Sequence, residues 1–334
     1  MGAAAQDANP PVNPLMRAIL GLFAAPRINM REDYEKVRRA QRALSWVPRD
    51  PGRILDRSVT AQAGHQIPLR IFLPKARMGE GVLLFFHGGG WTIGDIDTYS
   101  ATCRTMAELT GRVVCSVGYR LAPEHPYPSG LEDCLDVAET LLSNPALAGA
   151  AVPEDVTLVG DSAGGNLVAA VTLALRGRGS PLPGAQILFY PVTQWDHDPA
   201  TSPYQSVADY GTGLRLTAAE VQDYVSMYQP DPELRQSPLM SPLLAEDLSG
   251  LPRALVVTAE YDLLRDEGEA FGHALRAAGT PARLERIDGA LHGFIGLPRL
   301  SRHVAKAYEF VTDFLDGTLS DSRPLPSPSA GRRG

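Results

Sequence analysis

Gly160-Asp161-Ser162-Ala163-Gly164 sets a serine midway between two glycines, a spacing that suits a sharp strand-to-helix turn carrying a nucleophile. The context is right: the apolar run Val156 to Val159 precedes it, and Asn166 to Val171 continues at helical composition. Glycines two residues either side of the serine allow two backbones to approach where side chains would not fit. Such strings also occur in ordinary loops, so Ser162 gains meaning only from partners elsewhere. A serine hydroxyl is a poor nucleophile at neutral pH and needs a base, with an acid group to orient that base.

The candidate bases are His65, His87, His125, His197, His273, His292 and His303. His273 and His303 fall in predicted helices and His65 in a predicted hairpin, where packing or surface roles are ordinary. His292 stands in Ala290-Leu291-His292-Gly293-Phe294, between the strand-like Ala282 to Ile287 and a final helix, and this context singles it out. The acid is expected between serine and histidine in chain order. Asp262 directly follows the strand-like Ala254 to Thr258, whereas Asp266 lies a helical turn farther on and Glu260 can still belong to the strand. Asp262 also suits a helix N-cap, which would explain it without chemistry. Its position in the order Ser162, Asp262, His292 favours the catalytic reading.

His87-Gly88-Gly89-Gly90 follows the apolar run Val82 to Phe86. Consecutive glycines free a backbone to aim amides at one point. The amides of Gly88 and Gly89, with that of Ala163, are the expected donors to the oxyanion of a tetrahedral intermediate, with His87 holding the loop's shape. A glycine-rich loop after a strand can instead cradle phosphate, but neither G-x-G-x-x-G nor G-x-x-x-x-G-K-[ST] is present here, and no lysine follows.

These blocks, with Trp91 after the glycines, Tyr119-Arg120-Leu121-Ala122-Pro123-Glu124, the continuation Gly165-Asn166, Asp262-Leu263-Leu264-Arg265-Asp266-Glu267 and His292-Gly293-Phe294, resemble the bacterial hormone-sensitive lipase family of carboxylesterases from about residue 45 to 315. The resemblance implies an α/β-hydrolase fold with a helical cap, a triad of Ser162, Asp262 and His292, and an oxyanion hole of Gly88, Gly89 and Ala163. It implies no metal or organic cofactor. Leu263 stands where the family's acidic motif commonly has proline, a change that removes no catalytic group. Tyr119 to Glu124 is expected to brace the floor of the site. The implied activity is hydrolysis of short- to medium-chain acyl esters through an acyl-enzyme. An acyltransferase or amidase would share the site, and the sequence does not separate them. Receptors of this fold typically lack the histidine that His292 supplies here.

The elements that must position these residues follow from pattern. Val82 to Phe86, Arg112 to Val117, Val156 to Val159, Gln186 to Tyr190 and Ala254 to Thr258 read as strands buried on both faces. Thr98 to Leu109, Leu131 to Leu142, Ala163 to Arg176 and Leu264 to Ala278 read as crossover helices, which together predict a mostly parallel, doubly wound α/β sheet. Val59 to Leu73 reads as an antiparallel hairpin at the sheet's edge. The expected division is a catalytic core of residues 48–193 and 249–317, an N-terminal helical cap segment 1–47, a cap insertion 194–248 and a disordered tail 318–334. Trp91, Trp195, Tyr204, Tyr210, Tyr224, Met227 and Tyr228 are candidate pocket walls, although such residues more often form cap core.

Composition sets outer limits. Hydrophobic residues make up 44% of the 334 and charged residues 21%, and no apolar run approaches the roughly 20 residues a membrane helix needs. A net charge of −7 argues against a nucleic-acid partner and leaves a small ester substrate. Ala18 to Ala25 has the look of a signal-peptide core, but Asp7 lies upstream and Arg17 alone supplies positive charge. Leu15, Ile19 and Leu22 fit an amphipathic helix instead. Cys103, Cys115 and Cys134 lack C-x-x-C spacing, so neither a disulfide framework nor a zinc site is expected, and a cytoplasmic location is the simpler reading. The final strand and helix, 282–315, offer a surface for a homodimer at the sheet edge.

Overall fold

The computed structural model of the protein describes residues 29–45 and 53–318. The signal-like stretch Ala18 to Ala25 and the expected tail beyond Thr318 lie outside the described residues. β1 (Ile54–Thr60), β2 (Gln66–Phe72), β3 (Val82–Phe86), β4 (Val113–Val117), β5 (Val156–Asp161), β6 (Ala185–Phe189), β7 (Arg253–Tyr261) and β8 (Ala282–Leu291) join in one sheet in the order β1-β2-β4-β3-β5-β6-β7-β8. β1 and β2 pair antiparallel, as do β2 and β4, while all remaining neighbours are parallel. The doubly wound α/β-hydrolase sheet expected from the sequence is therefore present, with the hairpin at its edge beginning five residues earlier than expected.

The strands from β3 to β6 are mostly apolar because both faces are covered, and each of their residues is buried, Ser116, Thr157, Asp161 and Gln186 being the polar exceptions. On one face lie α3 (Ser129–Ser143), α4 (Ala163–Arg178) and α7 (Arg265–Ala277), which contribute Leu135, Leu167 and Phe271 to one core cluster. On the other lie α2 (Ser100–Thr110) and α8 (Arg302–Leu315), which bury Met106, Val304, Tyr308 and Phe314. Fully burying such a side chain is worth roughly 1.5–3 kcal/mol, against at most about 1 kcal/mol for an exposed pair such as Lys306–Glu309 on α8. Apolar burial decides where α8 docks.

β8 runs to Leu291, four residues past the expected Ile287. The pairing with β7 continues past Ile287 through an irregularity between Ala259 and Tyr261. There Glu260 Oε2 accepts the Gly289 amide at 2.6 Å. The extension delivers His292 at the end of a supported strand.

α1 (Met30–Leu44) packs against α6 (Ala218–Tyr228), with an Arg31–Asp223 ion pair at 2.8 Å. Arg38 fastens α1 to the core: its guanidinium donates to the carbonyls of Thr92 at 2.7 Å and Ala122 at 2.8 Å and grips both oxygens of Glu124. Residues 194–248 carry α5 (Gln205–Tyr210) as well as α6 and are tied to α7 by buried polar contacts. Glu267 accepts the Thr193 amide at 2.7 Å and lies 2.8 Å from His197 Nε2, and the Ser206 amide donates to Asp266 Oδ2 at 2.9 Å.

Candidate active site

The end of β5 meets the start of α4 at Ser162, whose φ of +55° and ψ of −120° are unusual for a residue with a side chain. The turn is this tight because the flanking glycines leave no gap. A Cβ on Gly160 would lie 2.2 Å from the Gly164 carbonyl oxygen, and one on Gly164 would lie 2.0 Å from the Phe86 oxygen. The Ser162 amide donates to the Phe189 carbonyl at 2.9 Å, which anchors the strained residue to β6.

Ser162 Oγ lies 2.9 Å from His292 Nε2, and His292 Nδ1 lies 2.7 Å from Asp262 Oδ2. The Asp262 carboxylate is buried and the imidazole nearly so. Asp262 serves both readings of its sequence position at once: Oδ1 accepts the Leu264 amide at 3.0 Å, while Oδ2 faces the imidazole. With a carboxylate on Nδ1, the neutral ring carries its proton there and leaves Nε2 free to accept the serine proton. The competitor Asp266 is engaged with Arg265 and Ser206, and Glu260 with Gly289. Of the other histidines, His65 pairs with Asp133 at 2.8 Å and His197 with Glu267.

The glycine loop takes positive φ at Gly89 (+108°), Gly90 (+59°) and also Trp91 (+54°). A Cβ on Gly89 would meet the Ile93 carbonyl oxygen at 2.2 Å. His87 is buried, its Nδ1–H donating to the Gly88 carbonyl at 2.8 Å, its ring stacked on Tyr119 at 4.3 Å, and burial lowers its pKa to about 4. Tyr119 O–H donates to the His87 carbonyl at 2.7 Å, and the Ala122 amide to the Trp91 carbonyl at 2.9 Å, so the Tyr119 to Glu124 segment supports this loop.

One expected donor is corrected. The Gly88 amide donates to Asp161 Oδ1 at 2.8 Å and so points away from any substrate oxyanion. The amides of Gly89, Gly90 and Ala163 have no partner among the described residues. Gly90, not Gly88, is thus the loop residue that joins Gly89 in having a free amide.

The expected pocket walls divide. Trp91 and Tyr228 are each 1% exposed and stack on one another at 4.5 Å with ring planes 4° apart, so they join the loop to α6 and offer no surface to a ligand. Tyr210 is buried beneath the Arg265 guanidinium. The Tyr224 ring lies against Gly90, where a Cβ would meet it at 2.2 Å, which places it nearest the amide loop. Met227 is buried as well, whereas Trp195 and Tyr204 are half-buried with surface to spare.

Sequence reasoning missed the surroundings of Asp161. This residue is 3% exposed; besides the Gly88 amide it accepts the Tyr99 hydroxyl at 3.2 Å and the Tyr190 hydroxyl at 3.5 Å. Burial raises its pKa to about 6, opposed by the Gly88 hydrogen bond and the nearby His292. The Tyr190 ring in turn packs on the His292 ring, with centroids 4.7 Å apart.

A serine on a strained turn after a central parallel strand, reached by a histidine after the last strand and an aspartate after the one before it, defines the α/β-hydrolase class of site. The alpha/beta hydrolase fold profile matches residues 83–296. The protein is 40% identical to the Carboxylic ester hydrolase LipN of Mycobacterium tuberculosis over 252 residues, 74% of this chain and 65% of that one. It is 36% identical to an arylesterase of Saccharolobus solfataricus over 301 residues, 88% and 95% of the two chains. A thermostable esterase from Pseudomonas putida superposes with a TM-score of 0.81 at 30% identity, over 94% of this chain and 99% of the other. The chain belongs to the alpha/beta hydrolase fold family and, within it, to the bacterial hormone-sensitive lipase family that its motifs resemble.

Proposed function

We infer that this protein is a serine carboxylesterase. The observation that carries the reading is the continuous hydrogen-bonded chain from Ser162 Oγ through His292 to Asp262. His292 Nε2 takes the serine proton as Oγ attacks the ester carbonyl, and Asp262 holds the ring and stabilises the imidazolium. The carbonyl oxygen becomes an oxyanion bound by the amides of Gly89, Gly90 and Ala163. His292 then protonates the departing alkoxide. Water enters, loses a proton to Nε2 and releases the acid from the acyl-enzyme, which restores Ser162.

Residues 30–44 and 194–248 together form the cap, supported by the packing of α1 on α6 and by Tyr224 against Gly90. The division into cap segments 1–47 and 194–248 and a core of 48–193 and 249–317 belongs to the same proposal. The substrates are short- to medium-chain esters; faster turnover of long-chain emulsions than of a soluble butyrate ester would contradict this. The names of the relatives favour ester hydrolysis over amide hydrolysis or acyl transfer. Among the described residues no helix is long and apolar enough to cross a membrane. The cytoplasmic placement rests on Cys103, Cys115 and Cys134 being free and buried; fewer than three titratable thiols in the denatured protein would oppose it.

The test is p-nitrophenyl butyrate hydrolysis near pH 8 by the wild type, Ser162→Ala and His292→Ala, with circular dichroism to establish folding. Wild-type turnover that falls to near background in both variants is the expected result. A folded, inactive wild type would sink the reading.

A further inference from the structure

The aspartate of the serine motif lies outside the proton-transfer chain, yet it is built into the site with more care than a loop residue needs. Its side chain is buried, and both oxygens are used: Oδ1 accepts the Gly88 amide at 2.8 Å, while Oδ2 accepts the hydroxyls of Tyr99 at 3.2 Å and Tyr190 at 3.5 Å. Gly88 leaves no slack in this arrangement, since a Cβ there would lie 2.7 Å from both the Asp161 carbonyl oxygen and Oδ2. Asp161 therefore spans two parts of the site that are far apart in sequence, the residue before Ser162 and the first glycine of the loop.

The direction of that hydrogen bond matters. A peptide amide drawn toward Asp161 fixes the plane between His87 and Gly88, and the carbonyl of Gly88 is held in turn by the His87 ring. With both ends of Gly88 committed, the loop continues through positive φ at Gly89 and Gly90, whose amides have no partners among the described residues. Tyr190 adds a second link, because its hydroxyl reaches Asp161 while its ring rests on His292.

We propose that Asp161 is a positioning residue for acyl transfer: held by Tyr99 and Tyr190, its carboxylate pins the Gly88 amide and thereby aims the Gly89 and Gly90 amides at the oxyanion. It touches neither substrate nor the transferred proton. The proposal rests on the esterase reading above.

The test compares Asp161→Ala with Asp161→Asn. Asparagine keeps an oxygen for the Gly88 amide, and its NH2 can donate to the tyrosine hydroxyls; alanine removes both. Kinetics on p-nitrophenyl butyrate are read together with the Ki of an alkylboronic acid, whose tetrahedral adduct with Ser162 needs the same amides as the transition state. Loss of one oxyanion donor lowers kcat by roughly 100- to 1000-fold in other enzymes. For displaced donors, Asp161→Ala is expected to lose about 30-fold or more in kcat. KM should stay within about twofold, the boronate Ki should rise in step with the lost kcat, and Asp161→Asn should recover most of the loss.

A folded Asp161→Ala with kcat close to wild type, a loss of equal size in Asp161→Asn, or a loss of kcat with unchanged boronate affinity overturns the proposal. Should Asp161→Ala fail to fold, Tyr99→Phe removes the shorter hydroxyl contact while keeping the ring. It must then lower kcat several-fold at constant KM, and unchanged kcat overturns the proposal equally. Inactive wild type would instead indict the esterase reading, so the two failures are distinguishable.

Discussion

Ser162 stores strain that a simple pair of substitutions can expose. At φ +55° and ψ −120° a residue bearing a Cβ pays about 1–3 kcal/mol, and glycine pays almost none. Ser162→Ala removes the hydroxyl and keeps the Cβ, while Ser162→Gly removes both. The lost contact with His292 is common to the two variants and cancels. Against strain relief stand the extra unfolded-chain entropy of glycine, roughly 0.5–1 kcal/mol, and the loss of one methyl from a site 8% exposed, up to about 0.8 kcal/mol. The balance makes Ser162→Gly about 0.5–1 kcal/mol more stable than Ser162→Ala, or about 1–3 °C in a chain of this size. Urea unfolding and calorimetry on both inactive variants measure the difference. The same exchange one residue on, Ala163→Gly in the regular first turn of α4, must have the opposite sign, since it gains no strain relief and loses about 1 kcal/mol of helix propensity. A Ser162→Gly variant less stable than Ser162→Ala by more than about 0.5 kcal/mol would refute the strain argument.

Two further outcomes follow from residues that support the site. Burial lowers the His87 pKa from 6.5 to about 4, so between those values the unfolded chain binds a proton the fold refuses, and acidification through this window costs up to about 3 kcal/mol. Asp161 works in reverse: its pKa is raised from 3.8 to about 6, so the fold holds a proton that the unfolded chain has released, and acidification through that window returns about 3 kcal/mol. The two nearly cancel in the wild type, and Asp161→Asn should therefore lose about 2–3 kcal/mol relative to wild type on going from pH 7 to pH 4; a pH-independent difference in urea midpoints would contradict the assignment. Arg38→Ala should free α1 by leaving the Thr92 and Ala122 carbonyls unpaired, at a cost of about 1–3 kcal/mol. Limited proteolysis should then cut first within 29–45 and KM should rise at least threefold, whereas unchanged proteolysis and KM would mean that α1 contributes nothing to the cap.

The sheet and the grouping of Ser162, Asp262 and His292 were legible because both are written in local patterns. Short runs such as Val156 to Val159, rich in β-branched residues, read as buried strands, and a serine between glycines after one of them gained its meaning from the histidine and aspartate placed after later strands. His292 and Asp262 followed from their position after strands. What escaped was whatever depends on contacts between distant segments. Nothing near Trp91 in sequence says that Tyr228 stacks on it, so two residues chosen as pocket walls proved to be packing partners. The last strand read as ending at Ile287 because the support from Glu260 that carries it to Leu291 comes from a neighbouring strand.

The donor set of the glycine loop shows most clearly where local reading stops. Three glycines in a row permit many amide directions, and the sequence says only that the backbone is free to choose. The choice is made by residues outside the loop: Asp161 takes the first amide, and the Ile93 carbonyl and the Tyr224 ring fill the space beside Gly89 and Gly90. Freedom in the loop is thus converted to a fixed orientation by contacts from the serine turn on one side and from α6 on the other. A substitution in either neighbour should therefore move kcat without touching a reacting atom. The direction of the loop amides belongs to the tertiary structure, whereas the meeting of Ser162, His292 and Asp262 could be read from the chain.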